Sequence, residues 1–441
     1  MAGEWLVIQF GQLLAEPVRN GIYKQKEFHG RGAKIVNMGE LFAHPRLRAV
    51  PMKRVALSDS EAARFTLAEG DLLFARRSLV AEGAGKCSVV LDIDEPTTFE
   101  SSIIRARPDR TKADPHFLYY FFNSTSGLHC LDTIRRQVAV AGITGSDLVK
   151  LELAVPPLPE QRAIAHILGT LDDKIELNRK LSETLEGMAR ALFKSWFVDF
   201  DPVRAKMDGR DPGLPKEIAD LFPSRMVESE VGEIPEGWRV TPFAETVEIL
   251  GGGTPKTSVA EYWDGDIPWF SVVDAPEISN VWVVNTEKKV TRAGVENSSS
   301  RVLPEGTTII SARGTVGRIA LVGVPMAMNQ SCYGLRGRTG ARGYFTHFAT
   351  GELISSLQQR AHGSVFDTIT RDTLASISVV EPPAALVESF EFRVGPMLER
   401  IRLGLFSSGS LTALRDALLP KLISGQIRVS TAMKHVEEAI A

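Results

Sequence analysis

Two glycine-rich stretches of the sequence have the residue types of a phosphate-binding loop. One is "AEGAGKCS", with Gly85 and Lys86, and the other is "LGGGTPKT". A phosphate-binding loop needs a glycine five residues before its second glycine, where Val80 stands, and a Ser or Thr after its lysine, where Cys87 stands. The second stretch lacks this ending as well. Both are therefore interpreted as tight turns, and nucleotide binding by this chain is not predicted.

Other catalytic and metal-binding patterns are also missing from the sequence. The 8 histidines are scattered without an HExxH pattern, and Cys87, Cys130 and Cys332 are too far apart for a CxxC site or a disulfide framework. There is no aromatic-flanked Asn-Pro-Pro motif of the kind that amino-methyltransferases use on a flipped base. The carboxylates of Asp172 and Asp173 are interpreted as part of a solvated helix face. We predict a chain with no catalytic residues, no metal site and no cofactor of its own.

Clusters of arginine indicate a different chemistry, the binding of nucleic acid. Between Thr307 and Ala375 all seven basic residues are arginine, against three acids. The guanidinium group makes bidentate hydrogen bonds to guanine edges and phosphates, and a net charge of -3 is compatible with a local basic face. For any single arginine, a solvated surface is the alternative. The predicted DNA-binding residues are Arg76, Arg77, Lys86, Arg105, Arg107, Arg135, Arg136, Lys256, Arg313, Arg318, Gln330, Arg336, Arg360 and Arg371.

The chain contains an internal repeat. The stretch "ITGSDLVKLELAVPP" at 143–157 matches "ITRDTLASISVVEPP" at 369–383, at an offset of 226 residues, and the same offset pairs Leu185 with Leu411. A weaker match of "LAEGDLLFARR" with "LPEGTTIISARG" has an offset of 236, which implies a ten-residue loop insertion in the first copy. A shared register of this length predicts two similar structures, each a globular part followed by a helix.

Both globular parts are predicted to be α+β. Strand-like runs such as "KCSVVLDI", "TTIISA" and "RIALVGV" are separated by Gly and Pro, and short helical stretches such as "DPHFLYYFFNSTSGLHCL" follow them.

Two long helices are predicted to pair through a coiled-coil seam. In the first helix the apolar residues step by three and four, with one three-residue slip after Ile175, which is the pattern of a stammer. If both helices form, each has about 37 residues and spans roughly 55 Å. Such a pair would hold the two globular domains a fixed distance apart. The predicted helix-pair positions are Ile164, Leu168, Leu171, Ile175, Leu181, Leu185 and Leu192 in the first helix and Val394, Met397, Ile401, Leu411 and Leu418 in the second.

The second helix departs from a regular seam. Its stretch "LGLFSSGSLTAL" carries Gly404, Gly409 and three serines, which have poor helix propensity, so the continuity of the helix there is left open. Gly404 is the repeat counterpart of Asn178, which would fix the register if buried and would not if exposed. Pro420 is expected to kink or end the helix.

The domain boundaries follow from these patterns. Residues 1–157 are predicted to form the first globular domain and 236–383 the second. The central helix is predicted at 158–198, a linker at 199–235, the C-terminal helix at 384–424 and a tail at 425–441. Rich in Pro, Gly and acid, the linker is predicted to be partly extended. No run reaches 18 apolar residues and the N-terminus lacks the pattern of a signal peptide, so we predict a cytoplasmic protein without membrane contact.

Several stretches resemble the DNA-specificity subunits of type I restriction-modification systems. They are "PPLPEQRAIAHILGTLDDKIELNRKLSETLEGMARALFKSWFVDFDPV" in the centre, "GDLLFARRSLVAEGAGKCS" in the first globular part, "GGGTPKTSVAEYWDGDIPWFSVVD" and "ISARGTVGRIALVGVPMAMNQSCYGL" in the second, and "LRDALLPKLISGQI" near the end. Nearly the whole chain is covered, and the central stretch is highly specific.

The resemblance implies two target recognition domains, each reading one half of a split double-stranded DNA site. They would be joined by two long antiparallel coiled-coil helices in a pseudo-two-fold arrangement, which set the gap and bind two methyltransferase subunits. The helix-pair positions named above are also the predicted docking positions for those subunits. Restriction subunits would join this assembly, and the methyl donor and ATP would be used by those partners. The alternatives are a non-catalytic coiled-coil scaffold whose globular domains bind protein, and an enzyme whose site is not recognised. The target sequence cannot be read from these residues.

Overall fold

The chain forms two units in a computed structural model that describes residues 5–78, 80–136, 141–276, 281–338, 343–360 and 368–440, without the side chains of residues 81, 359, 360 and 440. The first unit is Met1–Ile175 together with Ser410–Ala441, and the second is Glu176–Gly409. Each unit therefore contains one globular part and portions of both long helices.

Short strands make up the sheets of both units. In the first unit they are β1 (Leu6–Gln9), β2 (Arg19–Asn20), β3 (His29–Val36), β4 (Arg46–Leu47), β5 (Lys53–Val55), β6 (Leu72–Ala75), β7 (Arg77–Ser78), β8 (Cys87–Val90), β9 (Thr97–Phe99), β10 (Ile103–Ala106), β11 (Ala141–Gly142) and β12 (Glu152–Val155). In the second unit they are β13 (Met226–Ser229), β14 (Gly232–Pro235), β15 (Arg239–Pro242), β16 (Val247–Gly251), β17 (Trp263–Phe270), β18 (Trp282–Val283), β19 (Lys288–Val290), β20 (Thr308–Ser311), β21 (Ile319–Val322), β22 (Ala327–Met328), β23 (Cys332–Gly337) and β24 (Ser378–Glu381).

Two helices are much longer than the rest. The helices are α1 (Met38–Ala43), α2 (Asp59–Phe65), α3 (Pro115–Phe122), α4 (Thr125–Ile134), α5 (Gly145–Leu148), α6 (Leu158–Phe197), α7 (Asp201–Met207), α8 (Lys216–Ala219), α9 (Phe243–Thr246), α10 (Arg292–Glu296), α11 (Gly343–Arg360), α12 (Arg371–Ala375), α13 (Ala384–Ile423) and α14 (Val429–Ile440). Across the described ranges, none of them combines the length and apolar character needed to span a bilayer.

The sheets of the two units have the same topology. The five-stranded sheet has the order β2-β10-β6-β8-β4 in the first unit and β16-β23-β20-β21-β18 in the second. A three-stranded sheet, β5-β3-β9 or β19-β17-β22, and a two-stranded sheet, β1-β12 or β15-β24, accompany it. In each five-stranded sheet only the last pair is parallel, β4 with β8 and β18 with β21. The predicted internal repeat and α+β class are confirmed.

Aromatic side chains fill the core of the first unit because the helix that covers its sheet is almost wholly apolar. Helix α3 begins at Pro115, after Asp114, whose carboxylate accepts the backbone N–H groups of the first turn at 3.0 Å. Phe122 of this helix packs edge-on against Phe10 and Phe74, with ring centres 5.0 Å apart in both cases. These contacts lock the helix to the sheet that carries the neighbouring loops.

The seam of α6 follows a regular heptad pattern without a slip. Steps of four and three are kept when half-buried positions are included, along Leu171, Ile175, Asn178, Ser182, Leu185, Ala189 and Phe193. The predicted stammer is therefore wrong. The prediction considered only apolar residues, so it did not assign the polar residues Asn178 and Ser182 to the seam.

Most predicted seam positions lie on this pattern, but Leu181 and Leu192 are each one residue off it. Those buried are Ile164, Leu168, Leu171, Val394, Ile401, Leu411 and Leu418, and those half-buried are Ile175, Leu181, Leu185, Leu192 and Met397. The pairing of two long helices is thereby confirmed.

Helix α13 is continuous through its glycine and serine residues. The amide of Asn178 donates to Ser408 Oγ at 3.2 Å, and a Cβ placed on Gly404 would lie 4.0 Å from the Asn178 Cβ. The sequence left open whether the helix is continuous here, and the unbroken range of α13 shows that it is. Packing against α6 outweighs the poor helix propensity of these small residues. The helix also continues past Pro420 to Ile423.

A buried carboxylate on α6 joins the helix pair of the first unit to its globular part. Asp172 accepts hydrogen bonds from the Tyr120 hydroxyl and from Arg415 of α13, both at 2.7 Å. Burial, and next the Asp172 charge, raise the pKa of Tyr120. Asp173 accepts from Arg46 at 2.9 Å. The interpretation of these carboxylates as a solvated helix face is wrong for Asp172, whereas Asp173 is exposed as predicted and is paired at the surface.

The segment 199–235 is folded, although its composition predicted a partly extended linker. Phe200 has φ 57 and separates α6 from α7, and its ring packs edge-on against Trp238 at 5.5 Å. Phe222 packs against Trp196 at 5.3 Å. These scattered aromatic residues have no periodicity, so the sequence pattern did not indicate that they are buried.

Candidate nucleic-acid interface

Four predicted DNA-binding residues of the second unit lie on adjacent loops. Lys256 belongs to the loop between β16 and β17, Arg313 and Arg318 to the turn between β20 and β21, and Gln330 to the turn before β23. The hydroxyl of Thr254 donates a hydrogen bond to the side-chain oxygen of Gln330, which ties the first of these loops to the third.

A backbone contact ties the remaining turn to the same group. The N–H of Ala312 donates to the carbonyl of Ser331 at 2.8 Å, so the turn of Arg313 lies beside the turn of Gln330. The segments 254–256, 312–318 and 329–331 are called here the loop face of the second unit.

The loop face of the second unit carries unpaired positive charge. Lys256, Arg313 and Arg318 are exposed, and none of them forms an ion pair with a carboxylate in the part of the chain that the structure describes. Exposed, unpaired cations attract the phosphates of a nucleic acid, because binding them releases condensed counterions. This surface has the electrostatic character of a DNA-binding face.

The other predicted residues of the second unit have different surroundings. Arg371 donates to the carbonyl of Ile249 at 3.0 Å. Arg336 lies towards the far end of β23, 3.7 Å from Glu248. The side chain of Arg360 lies outside the described part of the chain.

The first unit has a loop face at the corresponding place. The N–H of Arg76 donates to the carbonyl of Ser102 at 2.8 Å, the same contact that Ala312 makes in the second unit. The segment between β6 and β8 has 11 residues, against 7 between β20 and β21 in the second unit. It therefore holds only part of the ten-residue insertion that was expected as a single loop. The loop face of the first unit is made of the segments 23–25, 76–78 with 80–85, and 100–102, and it includes Arg76 and exposed Arg77.

Two predicted DNA-binding residues of the first unit are held by carboxylates of the same unit. Arg105 is 2% exposed and donates to Glu16 at 2.6 Å, and burial lowers its pKa. Arg107 donates two hydrogen bonds at 2.7 Å to the fully buried Asp71, and that contact raises the pKa of Arg107. Arg105 is buried against its carboxylate partner, so its prediction as a DNA contact is wrong. Arg107 neutralises buried Asp71 but is partly exposed, and its contact with DNA stays a prediction.

Three more predicted residues of the first unit have partners within the chain. Arg135 pairs with Asp132, and Arg136 pairs with Asp147 at 2.7 Å. The ammonium group of Lys86 packs over an aromatic ring at 5.0 Å. Contact of these residues with DNA stays a prediction.

Sequence reasoning missed exposed residues in both units. Tyr23 is 80% exposed on the loop face of the first unit. Lys288 and Lys289 on β19 are exposed and, among the described residues, have no carboxylate partner. The lysine pair could have been found as adjacent basic residues, whereas a single tyrosine gives no signal in a sequence.

The described residues contain no group of three or more His, Cys, Asp or Glu side chains placed to hold a metal ion. The exposed loops, and not an enclosed pocket of titratable groups, are therefore the candidate site.

A duplicated α+β unit with two basic loop faces, joined by a helix pair, defines a DNA-specificity protein. The chain belongs to the type I restriction modification DNA specificity domain family, whose model matches residues 18–187 and 235–385. The predicted resemblance is thereby confirmed.

Individual relatives agree with this assignment. The chain is 26% identical over 410 residues to the type I restriction enzyme HindI specificity subunit of Haemophilus influenzae, covering 83% of this chain and 88% of that protein. It is 22% identical to the putative MjaX specificity subunit of Methanocaldococcus jannaschii, covering 97% and 95%. The crystal structure of a type I S subunit from M. genitalium has a similar fold, with a TM-score of 0.59 at 15% identity over 95% of this chain and 96% of that chain.

Proposed function

We propose that each unit reads one half of a bipartite DNA target and that the helix pair sets the gap between the halves. The observation that carries this proposal is the repeated topology, in which two equivalent loop faces bear exposed basic residues but differ in sequence. Two equivalent readers with different side chains would contact two different half-sites.

We further propose that the chain has no catalysis of its own and works in the cytoplasm. Two methyltransferase subunits, and restriction subunits with them, would bind it and use the methyl donor and ATP. The buried seam residues cannot contact a partner, which leaves the outer faces of the long helices for docking. Exposed apolar residues lie on those faces, namely Leu177, Met188, Phe392, Leu403 and Phe406.

The reading of half-sites is tested by changing one loop face at a time. The double variant Arg313→Ala with Arg318→Ala is expected to weaken binding to target duplexes in a gel shift. Where these residues touch only phosphate, the slope of affinity against salt falls by about one for each lost contact. Where one of them reads a base, methylation mapping shows relaxed preference at one position of one half-site.

The matched control is Arg239→Ala, an exposed arginine of the same unit on β15, away from the loop face. It should leave binding and methylation unchanged. Relaxation in both halves by the double variant would contradict independent readers. Absence of sequence-specific binding by the wild-type assembly would favour a protein-binding scaffold.

A further inference from the structure

One exposed aromatic residue lies on the loop face of the first unit. Tyr23 is 80% exposed and, among the described residues, makes no hydrogen bond or ring contact. A single exposed apolar side chain is ordinary on a protein surface. What distinguishes Tyr23 is the way in which the fold holds it in place.

The loop that carries Tyr23 is anchored on both sides of it. A Cβ on Gly21 would collide with the carbonyl oxygens of the residues at the end of β9, so only glycine allows this close approach. Ile22 then donates its N–H to the carbonyl of Phe99 at 2.9 Å. On the other side, the Lys24 ammonium group is held by Glu61 at 2.7 Å.

The repeat shows which position of the second unit corresponds to Tyr23. Gly252 makes the same close approach to the end of β22, and the N–H of Gly253 donates to Met328 as that of Ile22 does to Phe99. The next residue is Thr254, which bonds to Gln330 within the loop face.

By the backbone contacts of Arg76 and Ala312, Ser101 takes the place of Gln330 in the first unit. Tyr23 thus occupies the position that Thr254 has in the second unit. Its neighbour there is Ser101, which is smaller than Gln330, and the ring of Tyr23 is left exposed. The guanidinium group of Arg76 donates to the Ser101 carbonyl at 3.4 Å, so the same loop face also carries basic charge.

We propose that the ring of Tyr23 contacts a base of the half-site that the first unit reads. This proposal rests on the proposed function, since it names one specificity-determining residue on that face. Phosphates are bound by charge and carry no sequence information, whereas a flat apolar ring packs against base edges, such as a thymine methyl group, or against an unstacked base step. An anchored loop presents the ring at little cost in conformational entropy.

The experiment uses the full chain assembled with its methyltransferase and a randomised pool of duplex DNA, from which bound sequences are recovered and sequenced. The Tyr23→Ala variant is expected to lose about tenfold of its preference at one position of one half-site, which corresponds to about 1.4 kcal/mol. The Tyr23→Phe variant keeps the ring and should keep the preference. Val7→Ala, an exposed apolar position on β1 of the same unit, is the matched control and should bind as the wild type does.

The outcomes separate this inference from the proposed function. A wild-type assembly that recovers no preferred sequence contradicts the proposed function itself. If the wild type selects a bipartite sequence and Tyr23→Ala selects the same one, only the role of Tyr23 is wrong. Loss of the preference in Tyr23→Phe would overturn the assignment to the ring. Circular dichroism of each variant excludes misfolding as the cause.

Discussion

Lengthening both long helices by one heptad should lengthen the gap between the two half-sites. The insertion points are after Lys180 in α6 and after Phe406 in α13. Asn178 and Ser408 both lie on the same side of these points, so their hydrogen bond of 3.2 Å remains possible. Because the seam of α6 is a heptad pattern, seven inserted residues keep its apolar face on the partner helix.

The size of the effect follows from helix geometry. Seven residues add about 10.5 Å and turn the helix by about 20° less than two full turns, whereas four residues would turn the seam by about 40°. Base pairs are stacked about 3.4 Å apart along each strand. The preferred gap should therefore grow by about three base pairs while both half-site sequences stay the same.

Methylation mapping in a host that carries the modified system measures the gap directly. The control inserts the same seven residues after Gly209, which lies outside both long helices. A Cβ built on Gly209 would have no neighbouring atom within 4 Å, so the site has room, and the gap should stay unchanged. An insertion in α6 alone should break the seam and reduce the yield of folded chain. An unchanged gap in a folded, active double insertion would refute the role of the helices as a spacer, and altered half-sites would mean that the helices help to read DNA.

Three further predictions concern residues inside the units. Asp172→Asn should lower the free energy of unfolding by about 1–3 kcal/mol, because it weakens two short hydrogen bonds at a largely buried carboxylate. Asp173→Asn changes a side chain that is 56% exposed and should lower it by less than about 1 kcal/mol. Urea unfolding of both variants makes the comparison. Arg107→Ala leaves the fully buried Asp71 without its bidentate partner and should cost about 2–4 kcal/mol, and an unchanged thermal midpoint would contradict its structural role. Burial, and next a neighbouring arginine, lower the pKa of His347 to about 3. Between about pH 6.5 and 3 the unfolded chain therefore binds a proton at His347 that the folded unit does not bind. The free energy of unfolding decreases as the pH falls through this window. At pH 5 the loss is about 2 kcal/mol relative to neutral pH, and a His347→Gln variant should lack this part of the pH dependence in unfolding measured across that range.

The repeat and the long helices could be predicted because they depend on patterns that a sequence displays. A constant offset of 226 residues links the two copies, and apolar steps of three and four mark the helix pair. The seam was misplaced in its middle for a physical reason. Asn178 and Ser182 are polar, and Gly404 of α13 leaves room beside both of them. The amide of Asn178 donates to Ser408 of α13, whereas the hydroxyl of Ser182 donates to the Asn178 carbonyl of α6 itself.

The roles of individual arginines could not be predicted in the same way. Arg105 and Arg107 occur in a stretch as basic as that of exposed Arg77, and nothing local distinguishes them. Their partners, Glu16 and Asp71, lie 89 and 36 residues away along the chain. Only the folded sheet brings these carboxylates to the guanidinium groups, so a count of arginines overestimates the DNA-binding surface.

The matching sheets of the two units have a consequence for how new DNA specificities can evolve. The strand order is the same in both, while the loops it supports carry Tyr23 in one unit and Thr254 in the other, and Ser101 where the second has Gln330. Substitutions at exposed loop positions usually change stability by less than about 0.5 kcal/mol, so such loops can vary while the core is retained. One half of a target can then change by mutation of a single unit while the other half is inherited intact, and a small number of ancestral units can be combined into many bipartite targets.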